Sequence, residues 1–342
     1  MSDTFLSLKN LRIAYGDSVA VSNLSIDIRK GELLALLGPS GCGKTTTMRA
    51  IAGLLTPVSG QIILDGKTIT ATPANRRGIG LVFQAYALFP HLSAFENVAF
   101  GLRMQRLPAP EIKARTMAGL ELVSMAGFAH RKPAELSGGQ QQRLALARSL
   151  VVNPKLLLLD EPLSNLDAKL RLEMRAELQR VQKETGVTMI FVTHDQAEAL
   201  GLADRVVLMR EGEIEQMGSP PEIYGQPNSL FAADFMGFEN IFKIEHNQIE
   251  SPAGMLPLPF KTTARHLAWR PREIFIGACK SAKTPFPATV EAVSFAGGHR
   301  EYILSSQIGN ISLHQSVDEP AFASDMSVFF GLPQERAVAF DR

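Results

Sequence analysis

The stretch Gly38-Pro-Ser-Gly-Cys-Gly-Lys-Thr45 fits the pattern of glycine, four residues and Gly-Lys-Thr that forms a phosphate-binding loop. It follows an apolar run at residues 32–37, which predicts a buried strand, and it precedes residues 46–52, which predict a helix. A glycine-rich loop between a strand and a helix presents backbone N–H groups and the positive helix end to an anion. The stretch therefore predicts a site for nucleotide phosphates.

Each residue type in this loop suits contact with phosphate. Gly41 and Gly43 let the backbone wrap closely around an anion. Lys44 supplies a full positive charge to the β- and γ-phosphates, and the Thr45 hydroxyl is a ligand for Mg²⁺. The predicted nucleotide contacts in and just after the loop are Gly38, Ser40, Gly41, Cys42, Gly43, Lys44, Thr45 and Thr46.

The length and composition favour a soluble protein of two domains. The chain has 342 residues, more than one hydrophobic core usually serves. Its net charge of +1 gives no general attraction to nucleic acid or anionic lipid. Cys42 and Cys279 cannot form a disulfide framework, which fits a reducing cytosolic setting. No signal peptide or membrane-spanning run is expected, so a role at a membrane would require a partner.

A second apolar strand, residues 156–159, runs directly into two carboxylates, Asp160 and Glu161. A strand that is apolar on both faces is typical of a parallel sheet, whose ligands bind at the carboxyl ends of the strands. One of these carboxylates can hold Mg²⁺, and the next can polarise an attacking water. Two exposed loop acids would not explain why four leucines lead into them.

Two more strands end in polar side chains. Residues 79–83 precede Gln84, and residues 187–192 precede the segment that contains His194. Taken alone, Gln84 is more typical of a solvated strand end and His194 of a structural histidine. At the ligand edge of a parallel sheet, however, both are placed to contact a bound phosphate.

Besides the core strands, residues 1–237 contain two further predicted regions, an antiparallel β layer and a helical subdomain. Residues 5–36 contain three strand-length segments, which predict an antiparallel β layer. Tyr15 in this layer is either a half-buried strand aromatic or a ring that stacks on a base. Residues 85–150 lose the strand pattern and show helical periodicity, which predicts a helical subdomain.

The segment Leu136-Ser-Gly-Gly-Gln140 lies at the start of a predicted helix within that subdomain. Ser137 is a favourable N-cap, so the simple interpretation is a capped helix. The alternative is a second helix N-terminus that faces an anion.

From residue 238 to residue 342 the helical pattern disappears, and alternating segments predict a small all-β domain such as a five-stranded barrel. This part of the sequence shows no phosphate loop, no metal-ligand cluster and no catalytic triad. An enzymatic role is therefore not expected there.

Taken together, these motifs resemble the ATP-binding subunits of ATP-binding-cassette (ABC) transporters across residues 5–236. The resemblance implies an α/β P-loop NTPase with an antiparallel β layer and a helical subdomain, followed by a C-terminal all-β OB-like domain. That extension looks like the regulatory domain of bacterial importer ATPases. The motifs that carry the resemblance are the phosphate loop 38–45, Gln84, the signature 136–140, the strand 156–161, Ser164-Asn-Leu-Asp167 and His194.

The resemblance also implies roles for the site residues. Tyr15 stacks on adenine, Asp160 supports Mg²⁺ together with Thr45, and Glu161 is the general base. Gln84 contacts Mg²⁺ and the attacking water, and His194 contacts the γ-phosphate. The signature residues bind the ATP that is held by a second copy, so that ATP joins a head-to-tail dimer; they are Ser137, Gly138, Gly139 and Gln140. No function is predicted for Asn165.

The partners implied are transmembrane permease subunits, a second copy of the chain and, indirectly, a periplasmic or extracellular solute-binding protein, but no nucleic acid. Residues 85–103 are expected to contact the permease at the cytoplasmic face of the inner membrane. The motifs 83–91 and 138–143 look closer to polyamine, ferric-ion and phosphonate importers than to sugar importers. A soluble ABC ATPase that acts on DNA or ribosomes is the competing class, and one cassette without a coiled-coil insertion or basic tract disfavours it.

Overall fold

A computed structural model describes residues 4–281 and 283–341. The chain divides between Ile223 and Tyr224 into two compact units. The helices are α1 (Lys44–Ala52), α2 (Ala94–Met104), α3 (Ala109–Leu122), α4 (Gly138–Leu150), α5 (Ala168–Thr185), α6 (Gln196–Leu202), α7 (Pro220–Gly225) and α8 (Leu230–Phe235). No helix in these described ranges is long and apolar enough to span a bilayer.

The centre of the first unit is a six-stranded sheet with the order β10-β9-β3-β8-β7-β6. Strands β9, β3, β8, β7 and β6 are parallel, and β10 pairs with β9 as an antiparallel hairpin. The residues of β3 and β8 are buried throughout because helices and a second sheet cover both faces, as their apolar runs predict. The strands of the first unit are β1 (Thr4–Tyr15), β2 (Ser18–Arg29), β3 (Leu33–Leu37), β4 (Ser59–Leu64), β5 (Lys67–Thr68), β6 (Ile79–Val82), β7 (Leu156–Asp160), β8 (Thr188–Thr193), β9 (Arg205–Arg210) and β10 (Glu213–Gly218).

The predicted antiparallel layer is a four-stranded sheet with the order β2-β1-β4-β5. Its inner face packs on α1 and the central sheet, and side chains such as Leu6, Leu24, Met48 and Ile190 form one core. At the β4–β5 turn, Asp65 and Gly66 both have positive φ, which is the backbone that an Asp-Gly hairpin turn requires.

The predicted helical subdomain contains α2, α3 and α4. Ser93 begins α2, and Ser137 begins α4; each accepts a hydrogen bond from the backbone N–H three residues later. In both helices the residue at that third position, Glu96 or Gln140, reciprocates and completes a capping box. The N-cap prediction for Ser137 is therefore confirmed.

The second unit is rich in β structure, as predicted, but it has more strands than a five-stranded barrel. Ten strands form two five-stranded sheets with the orders β13-β12-β11-β14-β20 and β15-β19-β16-β17-β18. Short strands without a clear alternating pattern account for the additional elements. The strands are β11 (Asn240–Glu245), β12 (Gln248–Ser251), β13 (Gly254–Pro257), β14 (His266–Trp269), β15 (Phe275–Gly277), β16 (Phe286–Phe295), β17 (His299–Ser306), β18 (Gly309–Ser316), β19 (Ser327–Gly331) and β20 (Val338–Phe340).

The division between the units falls before the predicted boundary at residue 237. The reason is a cluster of contacts around Arg270, whose guanidinium lies 3.8 Å from the ring centroids of both Tyr224 and Phe238. Arg270 also donates a hydrogen bond to the Met236 carbonyl and forms an ion pair with Glu273. These cation–π and polar contacts attach residues 224–238 to the β-rich unit.

Candidate nucleotide site

The phosphate loop connects the end of β3 to the start of α1, as its sequence predicts. Gly41 and Gly43 have φ values of +81° and +99°, a region that other residues rarely adopt. A Cβ atom at Gly43 would also approach the Ala20 carbonyl oxygen to 2.7 Å, whereas one at Gly41 would meet no atom within 4 Å. The loop is therefore packed against β2 at Gly43 and open at Gly41.

Lys44 lies inside this loop and is only 6% exposed. Its ammonium donates hydrogen bonds to the carbonyl oxygens of Gly38 (2.7 Å) and Pro39 (2.8 Å), and it lies 3.6 Å from Cys42 Sγ. Loop carbonyls thus satisfy a charge whose burial would otherwise be costly. Cys42 is buried here as a free thiol.

Thr45 and Asp160 connect the phosphate loop to the end of β7. The Thr45 hydroxyl donates a hydrogen bond of 3.2 Å to Asp160 Oδ1. Burial raises the pKa of Asp160, and the nearby charge of Glu161 adds to this, although Thr45 and Arg49 act in the opposite direction. A desolvated carboxylate beside a hydroxyl is a donor set that fits Mg²⁺, which prefers oxygen ligands.

Glu161 has a φ of +44°, an uncommon backbone conformation for a residue other than glycine. Its N–H donates to the Val192 carbonyl of β8 (3.1 Å), and the Ser164 hydroxyl donates to its carbonyl (3.0 Å). One carboxylate oxygen accepts a hydrogen bond from the Gln84 amide (3.2 Å), and the other lies 3.3 Å from His194 Nδ1. The structure thus brings Gln84, Glu161 and His194 together.

Two neighbours of Gln84 carry contacts that the sequence analysis did not anticipate. The Asn165 side-chain amide donates a hydrogen bond of 2.9 Å to the backbone carbonyl of Gln84. The Gln84 amide lies 3.3 Å from Ser164 Oγ as well as contacting Glu161. No local sequence pattern predicts these contacts, because residues 164 and 165 approach Gln84 only when β6 and β7 pair in the sheet.

A buried network below His194 was also missed. The Thr193 hydroxyl donates a 2.6 Å hydrogen bond to Glu198, and it accepts one from the backbone N–H of Asp195 (3.0 Å). Arg171 lies 3.5 Å from both Glu198 and Asp195. Burial raises the pKa of Glu198, and the bond from Thr193 partly offsets that shift. The network fixes the backbone on both sides of His194.

Tyr15 and the signature residues make no hydrogen bond to the Gln84–Glu161–His194 cluster among the described residues. Tyr15 is at the end of β1 and is 49% exposed, so its ring is accessible. The hydrogen bonds of the Ser137 and Gln140 side chains stay within the first turn of α4. A Cβ at Gly139 would approach Leu170 of α5 to 2.8 Å, which shows how tightly this helix start packs. Within the described residues, no hydrogen bond connects the signature to the phosphate loop.

Comparisons with known proteins agree with this geometry. A family model described as "ABC transporter" matches residues 21–164. The chain is 45% identical to the Fe(3+) ions import ATP-binding protein FbpC of Agrobacterium fabrum, over 94% of each chain. The chain belongs to the ABC transporter family. It is also 54% identical to the spermidine/putrescine import ATP-binding protein PotA of Pasteurella multocida, over 69% of this chain and 64% of that protein.

Solved structures of ABC proteins match about two thirds of the chain. cbiO1 from Clostridium perfringens, part of the ABC transporter complex cbiONQ, is 34% identical with a TM-score of 0.62. It covers 66% of this chain and 92% of its own. An ATP-binding cassette solved as a dimer in a post-hydrolysis state, bound to ADP and Pi, is 33% identical with a TM-score of 0.57 and covers 63% and 98%.

The burial of Asp160 generates a prediction about the ABC ATPase without nucleotide. Because the fold disfavours the charged form, Asp160→Asn should unfold at the same or a higher temperature than the parent. A ligand present at ~100 times its Kd stabilises a protein by about 2.7 kcal/mol. The Asp160→Asn variant should lose most of this stabilisation when ATP and Mg²⁺ are added. Thermal unfolding with and without the ligands measures both effects.

Asp65→Asn is the matched control. Asp65 is exposed, and it forms an ion pair with Lys155, which is distant from it in sequence. It should keep the full thermal shift with ATP and Mg²⁺. An Asp160→Asn variant that is less stable without nucleotide, or equally stabilised by it, would refute the assignment.

Proposed function

We propose that this chain is the motor subunit of an importer, in which ATP hydrolysis at the edge of the central sheet drives solute uptake through separate membrane subunits. The observation that carries the proposal is the convergence of the phosphate loop, the Thr45–Asp160 pair and the Gln84–Glu161–His194 cluster at one sheet edge. Phosphate binding, metal support and water activation all require groups at that edge.

Glu161 is the group best placed to accept a proton from an attacking water. Its carboxylate oxygens contact Gln84 and His194, which orient it and leave it between an amide and an imidazole. Asp160 is instead committed to Thr45. Mg²⁺, when bound by Thr45, Asp160 and Gln84, would neutralise charge on the phosphate oxygens. The remaining task of the chain is to hold the phosphates through Lys44 and the loop N–H groups.

The position of the signature supports action as a pair of cassettes. Ser137 and Gly139 begin a helix whose N–H groups can face an anion, yet they make no hydrogen bond to the phosphate loop among the described residues. A head-to-tail dimer resolves this separation, because the signature of each copy then covers the ATP held by the other. The related cassette solved as a dimer has the same fold.

This arrangement predicts the behaviour of Glu161→Gln. The amide keeps the shape of the carboxylate but cannot accept a proton, and loss of a general base typically costs ~10²- to 10⁴-fold in rate. Lys44, Thr45 and Asp160 remain, so the variant should accumulate as an ATP-bound dimer. Size-exclusion chromatography with ATP and Mg²⁺ measures dimerisation, and phosphate release measures turnover.

Two further variants make the test specific. Adding Ser137→Arg to Glu161→Gln should abolish the dimer, since a long side chain blocks the helix start of α4. Glu111→Gln, on the exposed surface of α3, should leave turnover unchanged. Parental turnover in Glu161→Gln would place the base elsewhere, and a dimer in the double variant would contradict head-to-tail pairing.

An apolar surface that follows Gln84 in the chain is the proposed permease contact, and we define it as the half-buried Phe89 with the exposed Phe100 and Met104. The Phe89 and Phe100 rings lie 4.6 Å apart, and Met104 is 68% exposed one turn further along α2. Arg148 donates hydrogen bonds to the carbonyls of residues 86 and 87, which connects this surface to the segment after Gln84. Apolar patches of this kind mark interfaces.

One expectation about this segment is corrected by the structure. Tyr86 lies within residues 85–103, which the sequence predicts to contact the permease, but its side chain is only 7% exposed. Its positive φ and that of Ala87 turn the chain so that the ring enters the interior. The contact surface consequently lies more on α2 than on the segment that follows Gln84.

Cysteine cross-linking tests the permease contact. In a background with the exposed Cys279 changed to serine, Met104→Cys should cross-link to the permease in native membranes. Val58→Cys is the control and should not cross-link; Val58 is 64% exposed and lies between α1 and β4. Cross-links from Val58→Cys alone would overturn the assignment of this surface.

The relatives suggest the class of solute. The match to a ferric-ion import protein spans both units, whereas the match to the polyamine import protein covers 237 residues. We propose that the solute is ferric ion, with polyamine or phosphonate next and sugar as the alternative. The chain would act at the cytoplasmic face of the inner membrane, with a solute-binding protein upstream and residues 224–341 in regulation. Uptake of labelled ferric ion and spermidine by cells that lack this chain discriminates between the first two.

A further inference from the structure

Three potential metal ligands meet on one face of the second unit's β15–β19 sheet. Glu301 of β17 pairs directly with His314 of β18. His299 precedes Glu301 by two residues on the same strand, so its side chain projects from the same face. The ligand atoms of all three residues lie within 4.8 Å of one another.

The sequence analysis expected no metal cluster in this part of the chain. His299, Glu301 and His314 match no short metal-binding pattern, and the two histidines come together only through the β17–β18 pairing. The sequence alone does not reveal this grouping, since cross-strand neighbours are set by register rather than by local spacing.

The distances suit a metal site that closes with small side-chain rotations. His299 Nε2 lies 3.3 Å from Glu301 Oε1, and His314 Nε2 lies 4.0 Å from the same oxygen. Two ligands ~2.0–2.1 Å from one tetrahedral ion are about 3.4 Å apart. The imidazole rings lie 4.7 Å apart and are tilted by 39°, so both can turn a nitrogen toward a shared point.

The Glu301 carboxylate also has a partner outside the three-residue cluster. The Ser294 hydroxyl donates a 3.3 Å hydrogen bond to the other oxygen of Glu301, as a supporting partner for a ligating carboxylate does.

We propose that His299, Glu301 and His314 bind one divalent transition metal ion of the zinc and ferrous class. Two imidazoles and one carboxylate form a borderline donor set that selects such ions over Mg²⁺ and Ca²⁺. The two histidines also line a cavity of about 560 Å³, which gives the remaining coordination positions room for water or a small ligand. Gln315, which is buried and lines this cavity, has an Oε1 atom without a partner among the described residues.

Calorimetric titration of the full chain with ZnCl₂, in excess Mg²⁺ and without nucleotide, tests this site. The measurement is made in the parent and in His194→Ala, which removes the other histidine–carboxylate pair, His194 with Glu161. One Zn²⁺ should bind per chain in the His194→Ala background. His299→Ala, Glu301→Gln and His314→Ala should each weaken binding at least about tenfold.

His130→Ala is the matched control, since this exposed histidine lies in the first unit, and it should bind Zn²⁺ like the parent. Co²⁺ gives an independent readout, because its visible absorption should show nitrogen and oxygen ligands in the parent and fade in His299→Ala/His314→Ala. Thermal unfolding without metal verifies that these surface variants fold. Unchanged Zn²⁺ affinity in the folded double variant, or an equal loss in His130→Ala, would overturn the site.

Discussion

The parallel pairing of β3, β7 and β8 is the constraint on which the rest of this structure depends. Leu37 at the end of β3 pairs with Thr193, and Asp160 at the end of β7 pairs with Val192. Glu161 continues the pairing through one more hydrogen bond to the Val192 carbonyl. Residues that lie far apart in sequence, such as Leu37 and Thr193, are thereby held at one edge, where ligands of α/β sheets bind.

This arrangement has a free-energy cost, because it places buried charges and backbone strain at the sheet edge. Lys44 is buried and satisfied by loop carbonyls, Asp160 is desolvated, and Glu161 adopts a backbone conformation that costs of order 1–3 kcal/mol. The surrounding apolar core, made of runs such as 33–37 and 156–159, stabilises the fold enough to tolerate them. Charges and strain concentrated at a strand edge are typical of a site that is completed by its ligand.

The sequence predicted those parts of the site that depend on local pattern. The phosphate loop, the apolar strands and their polar ends are readable because each occupies a short continuous segment. The hydrogen bond from Asn165 to Gln84 and the burial of Tyr86 could not be predicted from the sequence, because they result from tertiary contacts and backbone turns. The His299–Glu301–His314 cluster was missed for the same reason, and the number of strands after residue 238 was underestimated because several have only three or four residues. The proposed contact of Ser137 with a nucleotide requires a second copy of the chain, which one sequence does not describe.

Equilibrium binding of a fluorescent ATP analogue to Lys44→Ala tests the central claim most directly, since Lys44 is the buried cation of the loop that we propose binds the phosphates. We expect the analogue's affinity to fall at least about tenfold, because a hydrogen-bonded charge contributes ~1.5–3 kcal/mol. Lys67→Ala, an exposed lysine of β5, should bind like the parent. Thermal unfolding verifies that the Lys44→Ala protein is folded. If this folded variant still binds and hydrolyses ATP at the parental level, the claim that this sheet edge is the nucleotide site is contradicted.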